Sequence, residues 1–499
     1  MQEGSVIRPL GRMETYSTTR HWMGHYQCVG NTCRYVVPRS RLVGSSPRNV
    51  VTDALAAVVL KLPALQVGLA DEDTQKPYFV QRSSLDLATH LEWRVVDEPD
   101  EERYTRTLLE ALARQHETSW PDVLHEQPWK LIVFEDARQG EGEPGSSLTL
   151  DMMFAVHHAL SDGKSTVVFH TQLLRALNHH PPSPSLTSQM TGSVLRLQSP
   201  SILVPSQEEL IDFRVSTRFL LGSLWQEFAP SFLRRQPPAV PWTGGPVRAE
   251  RSVRIRLLEF SAEQVGRLRT LARSHGVTIT PLIHSLVAFS LSRRLPEAQA
   301  PAFAADTVIS LRSWVDEGRL PESVRPLADS MTDLVTVCAH SFDPQLLAEV
   351  RAAGAHTAAL PRTLLWDVAR TIGEQVKEKV ASLPNDDVCG LLAWVDWAKR
   401  ARGLVGGPRE RTWELSNLGS NPGTDATMEN PGEPQWKITR SVFTQSAHVI
   451  GPAFCVNTSG IDRADFTLTL TWQEGTVGDE LMEGMARDLD EWISELCRE

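Results

Sequence analysis

One segment limits the possible folds of this chain more than any other: residues 147–159, SLTLDMMFAVHHA, are apolar almost without interruption. A strand of this kind belongs in the middle of a sheet that is covered on both faces, since a solvated face would show alternating polar residues. A turn containing Gly163 and a helix beginning near Lys164 follow at once. This order predicts an α/β fold that presents side chains at the end of a central strand.

Strand and helix patterns interleave in both halves of the chain, which places it in the mixed α/β class. A single hydrophobic core seldom serves 499 residues, so we expect two sheet-plus-helix domains. Residues 179–207 are rich in Pro and Ser and predict a linker. The predicted division is residues 1–178, a crossover over 179–243, and residues 244–499. We expect the amphipathic segment 218–235 to be a helix that docks on the core.

Composition excludes some classes of partner. A formal net charge of -11 and a pI of about 5.8 argue against nucleic acid, which needs a basic surface. No apolar stretch approaches the ~20 residues of a membrane helix, and the N-terminus has no apolar signal region. The six cysteines show no paired zinc spacing. We therefore expect a cytoplasmic protein without a transmembrane segment, whose cysteines are thiols.

The residues with the clearest chemical meaning follow the central strand: His157, His158, Asp162 and Gly163. A neutral histidine suits general-base chemistry because its ordinary pKa lies near working pH, and it must be held in one tautomer by a neighbouring group. A histidine pair followed by an aspartate and a glycine is therefore a plausible place for such chemistry. Glycine permits backbone angles that a side chain would forbid, so we expect the loop to turn sharply at Gly163.

Two other interpretations of the same residues are weaker. His157, His158 and Asp162 would make a metal site only if the adjacent histidines pointed the same way, which an extended strand disfavours, so we expect no metal. A serine hydrolase usually shows G-x-S-x-G around its nucleophile, and this sequence has no such motif.

The heptad HHALSDG (157–163) resembles the HHxxxDG signature of the CoA-dependent acyltransferase superfamily. That superfamily includes chloramphenicol acetyltransferase, the plant BAHD acyltransferases and the condensation domains of peptide synthetases. The whole chain is most similar to the fungal alcohol acetyltransferase family, through residues 8–14, 61–65, 127–131, 416–419 and 471–475. The plant DFGWG motif is absent, and SNLG (416–419) stands roughly in its place.

The resemblance implies a fold and a set of roles. It implies two chloramphenicol-acetyltransferase-like domains with the active site in a channel between them. His158 would be the general base, with His157 supporting the loop. Asp162 would be structural and would pair with Arg312. Ser416 or Asn417 would contact CoA or donate a hydrogen bond to the oxyanion.

The resemblance also implies a reaction. A monomer without a tightly bound cofactor would transfer an acyl group, expected to be acetyl, from acyl-CoA to the hydroxyl of a small-molecule acceptor such as a secondary metabolite. Three alternatives remain open: a condensation-like enzyme with a carrier-bound donor, a long-chain wax-ester or glyceride synthase, and a binding protein that keeps the fold without catalysis.

Overall fold

The structure of the chain, a computed structural model, describes residues 4–498 except 43, 141–145, 180, 182–183, 198–200, 229–238, 251, 355–359 and 429–432. The strands are, in chain order, β1 (Val6–Pro9), β2 (Val29–Pro38), β3 (Val67–Ala70), β4 (Tyr78–Gln81), β5 (Ser84–Asp86), β6 (Leu91–Val96), β7 (Trp129–Asp136), β8 (Ser147–Val156), β9 (Met190–Thr191), β10 (Val194–Arg196), β11 (Val253–Phe260), β12 (Phe303–Ser310), β13 (Val335–Phe342), β14 (Arg411–Asn421), β15 (Lys437–Gln445), β16 (Pro452–Ile461) and β17 (Phe466–Gln473).

Helices separate or flank these strands in both halves of the chain. They are α1 (Arg12–Trp22), α2 (Pro47–Lys61), α3 (Leu87–His90), α4 (Glu101–Glu117), α5 (Gly163–Asn178), α6 (Pro184–Gln189), α7 (Gln207–Leu210), α8 (Thr217–Phe228), α9 (Ala262–Ser274), α10 (Ile279–Arg294), α11 (Pro344–Gly354), α12 (Arg362–Ser382), α13 (Trp397–Leu404) and α14 (Asp479–Leu496). Among the described helices, none is long and apolar enough to cross a bilayer.

The first main sheet has the order β15-β2-β8-β7-β6, so the apolar run forms its central strand as predicted. Residues 150–156 of β8 are all buried. On one face Phe169 of α5 stacks on Phe154 with 3.7 Å between ring centroids. On the other face Leu108 and Leu112 of α4 pack in one cluster with Met153 of β8. Apolar side chains on both faces of one strand are therefore both covered.

The second main sheet has the order β11-β17-β16-β14-β12-β13. β14 lies parallel to both β12 and β16, and the other neighbours run antiparallel. The helix α10 is buried almost all round, and the core it shares with the sheet includes Trp413 and Phe454. This half thus has its own core, separate from that of the first sheet.

One strand crosses between the halves, which the predicted division at residue 243 did not anticipate. β15 follows β14 in the chain, yet it pairs with β2 as the edge of the first sheet. Ser441 on β15 hydrogen-bonds Asn31 at 2.9 Å and Ser459 of the second sheet at 2.7 Å. The two sheets therefore meet across a buried polar layer, and they do not correspond to two continuous chain segments.

Two features of the structure bear on the predicted crossover, whose boundaries stay a prediction. β9 and β10 lie within the predicted linker, yet they form a small sheet with β5 of the first half. The helix α8 does form, and none of its described side chains is buried, with Leu221 and Trp225 61% and 52% exposed; residues 229–235 of the predicted docking segment lie outside the described residues. Amphipathic spacing identified the helix, but it did not show whether a neighbouring surface would cover its apolar face.

Candidate active site

The histidine pair lies where the central strand ends. β8 stops at Val156, a 3-10 turn spans His158–Leu160, and α5 begins at Gly163. Asp162 is the N-cap of α5, and its Oδ1 accepts the backbone N–H of Ser165 at 2.7 Å. An aspartate is among the best N-caps because its carboxylate satisfies an otherwise unpaired N–H. This turn places His158 beside the second half of the chain.

His158 is held by a buried carboxylate. Its Nδ1 lies 3.3 Å from Oδ2 of Asp333, and Ser17 donates to the same oxygen at 3.0 Å. The carboxylate selects the tautomer with the proton on Nδ1 and leaves a lone pair on Nε2. Nε2 makes no hydrogen bond within the described residues, and the side chain is 14% exposed. His158 is thus oriented from one side, while its Nε2 is open on the other.

The motif aspartate positions the segment that carries Asp333. The N–H of Asp162 donates to the carbonyl of Thr332 at 3.0 Å, and its Oδ2 accepts the N–H of Leu334 at 3.3 Å. Arg312 Nη2 donates to Oδ1 of Asp162 at 3.1 Å. The structure thus brings the predicted pair, Asp162 and Arg312, within salt-bridge distance, and this network holds the backbone on both sides of Asp333.

His157 turns away from His158. Its Nδ1 accepts the N–H of Ala159 at 3.0 Å, while Nε2 lies 3.5 Å from Oε1 of Glu72. Glu72 also contacts Nδ1 of His21 and accepts from Thr18 at 3.0 Å. Burial, together with His21, lowers the pKa of His157 to about 4. Burial alone would raise the pKa of Glu72, but its contacts with His157 and His21 outweigh it and lower the pKa to about 2. His157 therefore supports the loop as a neutral ring.

Two groups in the described part of the chain bring potential metal ligands within 4.8 Å of one another: His21, Glu72 and His157; and Glu414, His448 and Cys455. In the first group, backbone N–H groups of Trp120 and Ala159 already donate to one nitrogen of each ring. The other ring nitrogen of each histidine then faces the carboxylate of Glu72. In the second group, the charges of Arg20 and Arg409 act on Cys455 and disfavour a cation. We propose no metal at either place.

Gly163 is required for a different reason from the predicted one. Its φ lies outside the left-handed region. A Cβ at this position would lie 2.7 Å from Cδ2 of Leu418 and 3.0 Å from Cζ of Phe443. Close approach of two neighbouring side chains therefore excludes a larger residue. The contact also joins the motif to the 416–419 block, where Lys164 donates to the Leu418 carbonyl.

Ser416 and Asn417 lie on β14 opposite Asn457 and Thr458 of β16. Ser416 is buried, whereas Asn417 donates to Thr280 at 2.9 Å and accepts the N–H of Gly419 at 2.7 Å. The Leu418 contact places this block against Gly163. Roles for Ser416 and Asn417 at an oxyanion or a CoA molecule stay predictions.

Several site residues were not identified from sequence, and most lie on α1. This helix buries polar side chains, among them Ser17, Thr18, Arg20 and His21. The segment ETYSTTRHW lacks an apolar stripe and resembles a solvated N-terminus, so periodicity gave no signal. Asp333 precedes β13 and resembles an ordinary residue at the start of a strand. One local feature could have identified α1. It is a polar helix without the charged i, i+4 pairs that are usual on a solvated helix.

Comparisons with known proteins agree with this geometry. The profile of the family described as alcohol acetyltransferase matches residues 99–313, which include the motif. The probable alcohol acetyltransferase FCK4 of Fusarium pseudograminearum is 30% identical, covering 99% of this chain and 96% of its own length. The probable alcohol acetyltransferase crmB of Aspergillus fumigatus is 24% identical, covering 95% and 96%.

Solved structures show the same fold. Trichothecene 15-O-acetyltransferase TRI3 of Fusarium sporotrichioides superposes with a TM-score of 0.69 at 11% identity, over 98% of this chain and 94% of that one. The first condensation domain of the calcium-dependent antibiotic synthetase superposes with a TM-score of 0.59 at 13% identity, over 100% and 97%. The fold is thus that of the two-domain, chloramphenicol-acetyltransferase-like acyltransferases. With a relative 30% identical over nearly its whole length, this chain belongs to the fungal alcohol acetyltransferase family.

Proposed function

We propose that this acyltransferase moves an acyl group, expected to be acetyl, from acyl-CoA to the hydroxyl of a small-molecule acceptor, with His158 as general base. The observation that carries the proposal is the pairing of His158 Nδ1 with Asp333, which leaves Nε2 without a hydrogen bond in the described residues. Hydroxylated secondary metabolites are the proposed acceptors, since the structural relative TRI3 acetylates a trichothecene oxygen.

In the proposed reaction His158 Nε2 removes the proton of the acceptor hydroxyl as its oxygen attacks the thioester carbonyl. The carboxylate of Asp333 stabilises the imidazolium that forms, as a buried aspartate does in other histidine-base enzymes. Collapse of the tetrahedral intermediate expels the CoA thiolate, which takes the proton back from Nε2. The six cysteines of the chain are all buried and free, and burial raises the pKa of Cys28 to about 12. A direct transfer within a ternary complex therefore suits the site better than a covalent acyl-cysteine.

The test is release of free CoA from acetyl-CoA in the presence of a panel of alcohols and polyketide or terpenoid acceptors. We expect His158→Ala to lower acceptor-dependent kcat by about 10²- to 10⁴-fold, the usual contribution of a general base. His125→Ala is the matched control, because His125 is exposed and pairs only locally with Asp122.

The outcomes separate the alternatives. Turnover that survives His158→Ala would remove His158 from the chemistry. A second outcome is that the wild-type protein releases no CoA from acetyl-CoA with any acceptor, yet transfers an acyl group from an acyl carrier protein. That result would establish the condensation-like reaction instead. Preference for long acyl chains would establish the wax-ester or glyceride type.

A further inference from the structure

Arg20 is a buried cation whose guanidinium has no hydrogen-bond partner among the residues that the structure describes. Its side chain is 6% exposed, and Nε has no hydrogen bond. The guanidinium carbon lies 4.2 Å from the ring centroid of Tyr16 and 4.6 Å from that of Tyr26, so the group is held between two aromatic faces. In the part of the chain that the structure describes, no carboxylate lies within ion-pair distance of it. A planar guanidinium presents five N–H donors, and here they are without acceptors.

A buried charge of this kind is costly unless something neutralises it, and arginine stays protonated at all working pH values. The carboxyl most affected by its field is Glu414. Burial, together with Asp306, raises the pKa of Glu414 to about 7 despite the opposing charge of Arg20. This carboxyl is therefore only partly ionised near neutral pH, and no ion pair joins it to Arg20. Among the described residues, the fold leaves this cation without an ion-paired carboxylate.

Arg20 also lies close to the chemistry. Tyr26 contacts Arg20 with its ring and contacts the ring of His158 edge-on, with 5.5 Å between centroids. Ser17, which hydrogen-bonds the carboxylate of Asp333, stands one helical turn before Arg20 on α1. One helix thus supplies both the support of the base and the unsatisfied cation.

A cavity begins at Arg20. Its other walls include Tyr16, Trp397, Leu404 and Ile450, which are aromatic or apolar. Arg400 and Glu410 at the rim pair with each other at 2.6 Å. Thr19 also lines it, so the cavity combines aromatic and apolar walls with a few polar groups, and in small-molecule sites such polar groups fix the ligand's orientation.

We propose that Arg20 is the specificity residue of the acceptor site: it binds a carbonyl or carboxylate oxygen of the acceptor while the acceptor's hydroxyl meets Nε2 of His158. The acceptor class is then a hydroxy ketone or hydroxy acid on an aromatic or alicyclic skeleton. This inference rests on the proposed function for the hydroxyl that meets His158. Binding of the other oxygen by Arg20 can be measured without any reaction.

The experiment is calorimetric titration of the full chain, without acyl donor, with three matched probes: 3-hydroxy-3-phenylpropanoate, 4-hydroxy-4-phenylbutan-2-one and 1-phenylbutan-1-ol. The first carries a carboxylate, the second a ketone and the third neither. We expect at least one oxygenated probe to bind about 10-fold or more tightly than the plain alcohol, because hydrogen bonds to a buried charged donor are strong. Arg20→Gln should abolish that preference. Arg12→Gln is the control, since Arg12 is a half-exposed arginine of the same helix.

The result would be overturned by equal affinity of the three probes for the wild type, by undetectable binding of all three, or by a preference that survives Arg20→Gln. A Tm of Arg20→Gln equal to or above that of the wild type is also expected, since an unpaired buried charge is removed; a large fall would assign Arg20 to scaffolding instead. If oxygenated probes bind through Arg20 but no CoA is released in the activity assay, the proposed function fails and this inference stands.

Discussion

Asp162 fixes the backbone on both sides of Asp333, through Thr332 at 3.0 Å and Leu334 at 3.3 Å. The contacts of the motif aspartate are therefore with the backbone of a loop in the second half of the chain. Asp162 positions the carboxylate that orients His158, and Arg312 in turn anchors Asp162 at 3.1 Å. A loop of the first half and a loop of the second half are thereby combined into one site.

Asp333→Asn should lower kcat about 10- to 10³-fold with little change in the KM for acetyl-CoA. An amide keeps the volume of the side chain, but it neither selects the Nδ1–H tautomer nor stabilises the imidazolium. Steady-state kinetics of the folded variant is the measurement. Asp329→Asn is the control, because Asp329 lies on the same loop, pairs with Arg175 and is partly exposed. Full activity of Asp333→Asn would remove Asp333 from the mechanism.

Arg312→Gln should lower the free energy of unfolding by about 3–5 kcal/mol, the usual cost when one partner of a buried ion pair is left alone. Asp162 is 1% exposed and Arg312 15%, so solvent screens the pair little. Urea unfolding monitored by tryptophan fluorescence is the measurement. Arg175→Gln breaks a more exposed pair and should cost only about 0–1 kcal/mol. Equal losses of unfolding free energy in the two variants would show that the Asp162–Arg312 pair stabilises the fold no more than an exposed ion pair does.

Gly163→Ala should destabilise the protein by about 1–3 kcal/mol through overpacking, because the new methyl group meets Leu418 and Phe443. Leu418→Ala in the same chain should recover part of that loss, which a double-mutant cycle measures. Gly266→Ala is the control: it is a helical position where a Cβ meets nothing within 4 Å, and alanine should stabilise it by about 0.5–1 kcal/mol. Additive effects of Gly163→Ala and Leu418→Ala would contradict the steric explanation.

Glu414→Gln should change how stability depends on pH. The pKa of Glu414 rises from 4.5 to about 7 on folding, so the native state binds the extra proton and stability falls as pH rises through that range. Glutamine removes the titration. The variant should therefore gain roughly 2 kcal/mol relative to wild type between pH 5 and pH 8. Urea unfolding at the two pH values is the measurement. The buried histidines titrate in both proteins, so their effect cancels when the two free energies of unfolding are subtracted. A difference that is the same at both pH values would contradict the raised pKa of Glu414.

Local pattern determined much of this protein. The almost continuous apolar run predicted a central strand because consecutive apolar residues place buried side chains on both faces of a sheet, and the structure confirms this in β8. The heptad after it indicated the family, and the family implied the pairing of Asp162 with Arg312. Local pattern was less informative where the role of a residue depends on residues distant in the chain. At Gly163 it predicted a special backbone conformation, whereas the structure shows close packing against two side chains and a φ outside the left-handed region.

Tertiary structure alone decided the rest of the site. His158 and Asp333 are 175 residues apart in the chain, and His158 and Ser17 are 141 apart. No periodicity predicts contacts over such distances, because they depend on how elements far apart in the chain pack together. For the same reason α1 resembled a solvated helix: its polar residues are buried by elements that lie far from it in the chain. The sequence by itself determined which strand would be central and which loop would carry the histidine pair, whereas the fold decided which carboxylate orients His158 and which nearby cation has no ion pair among the described residues.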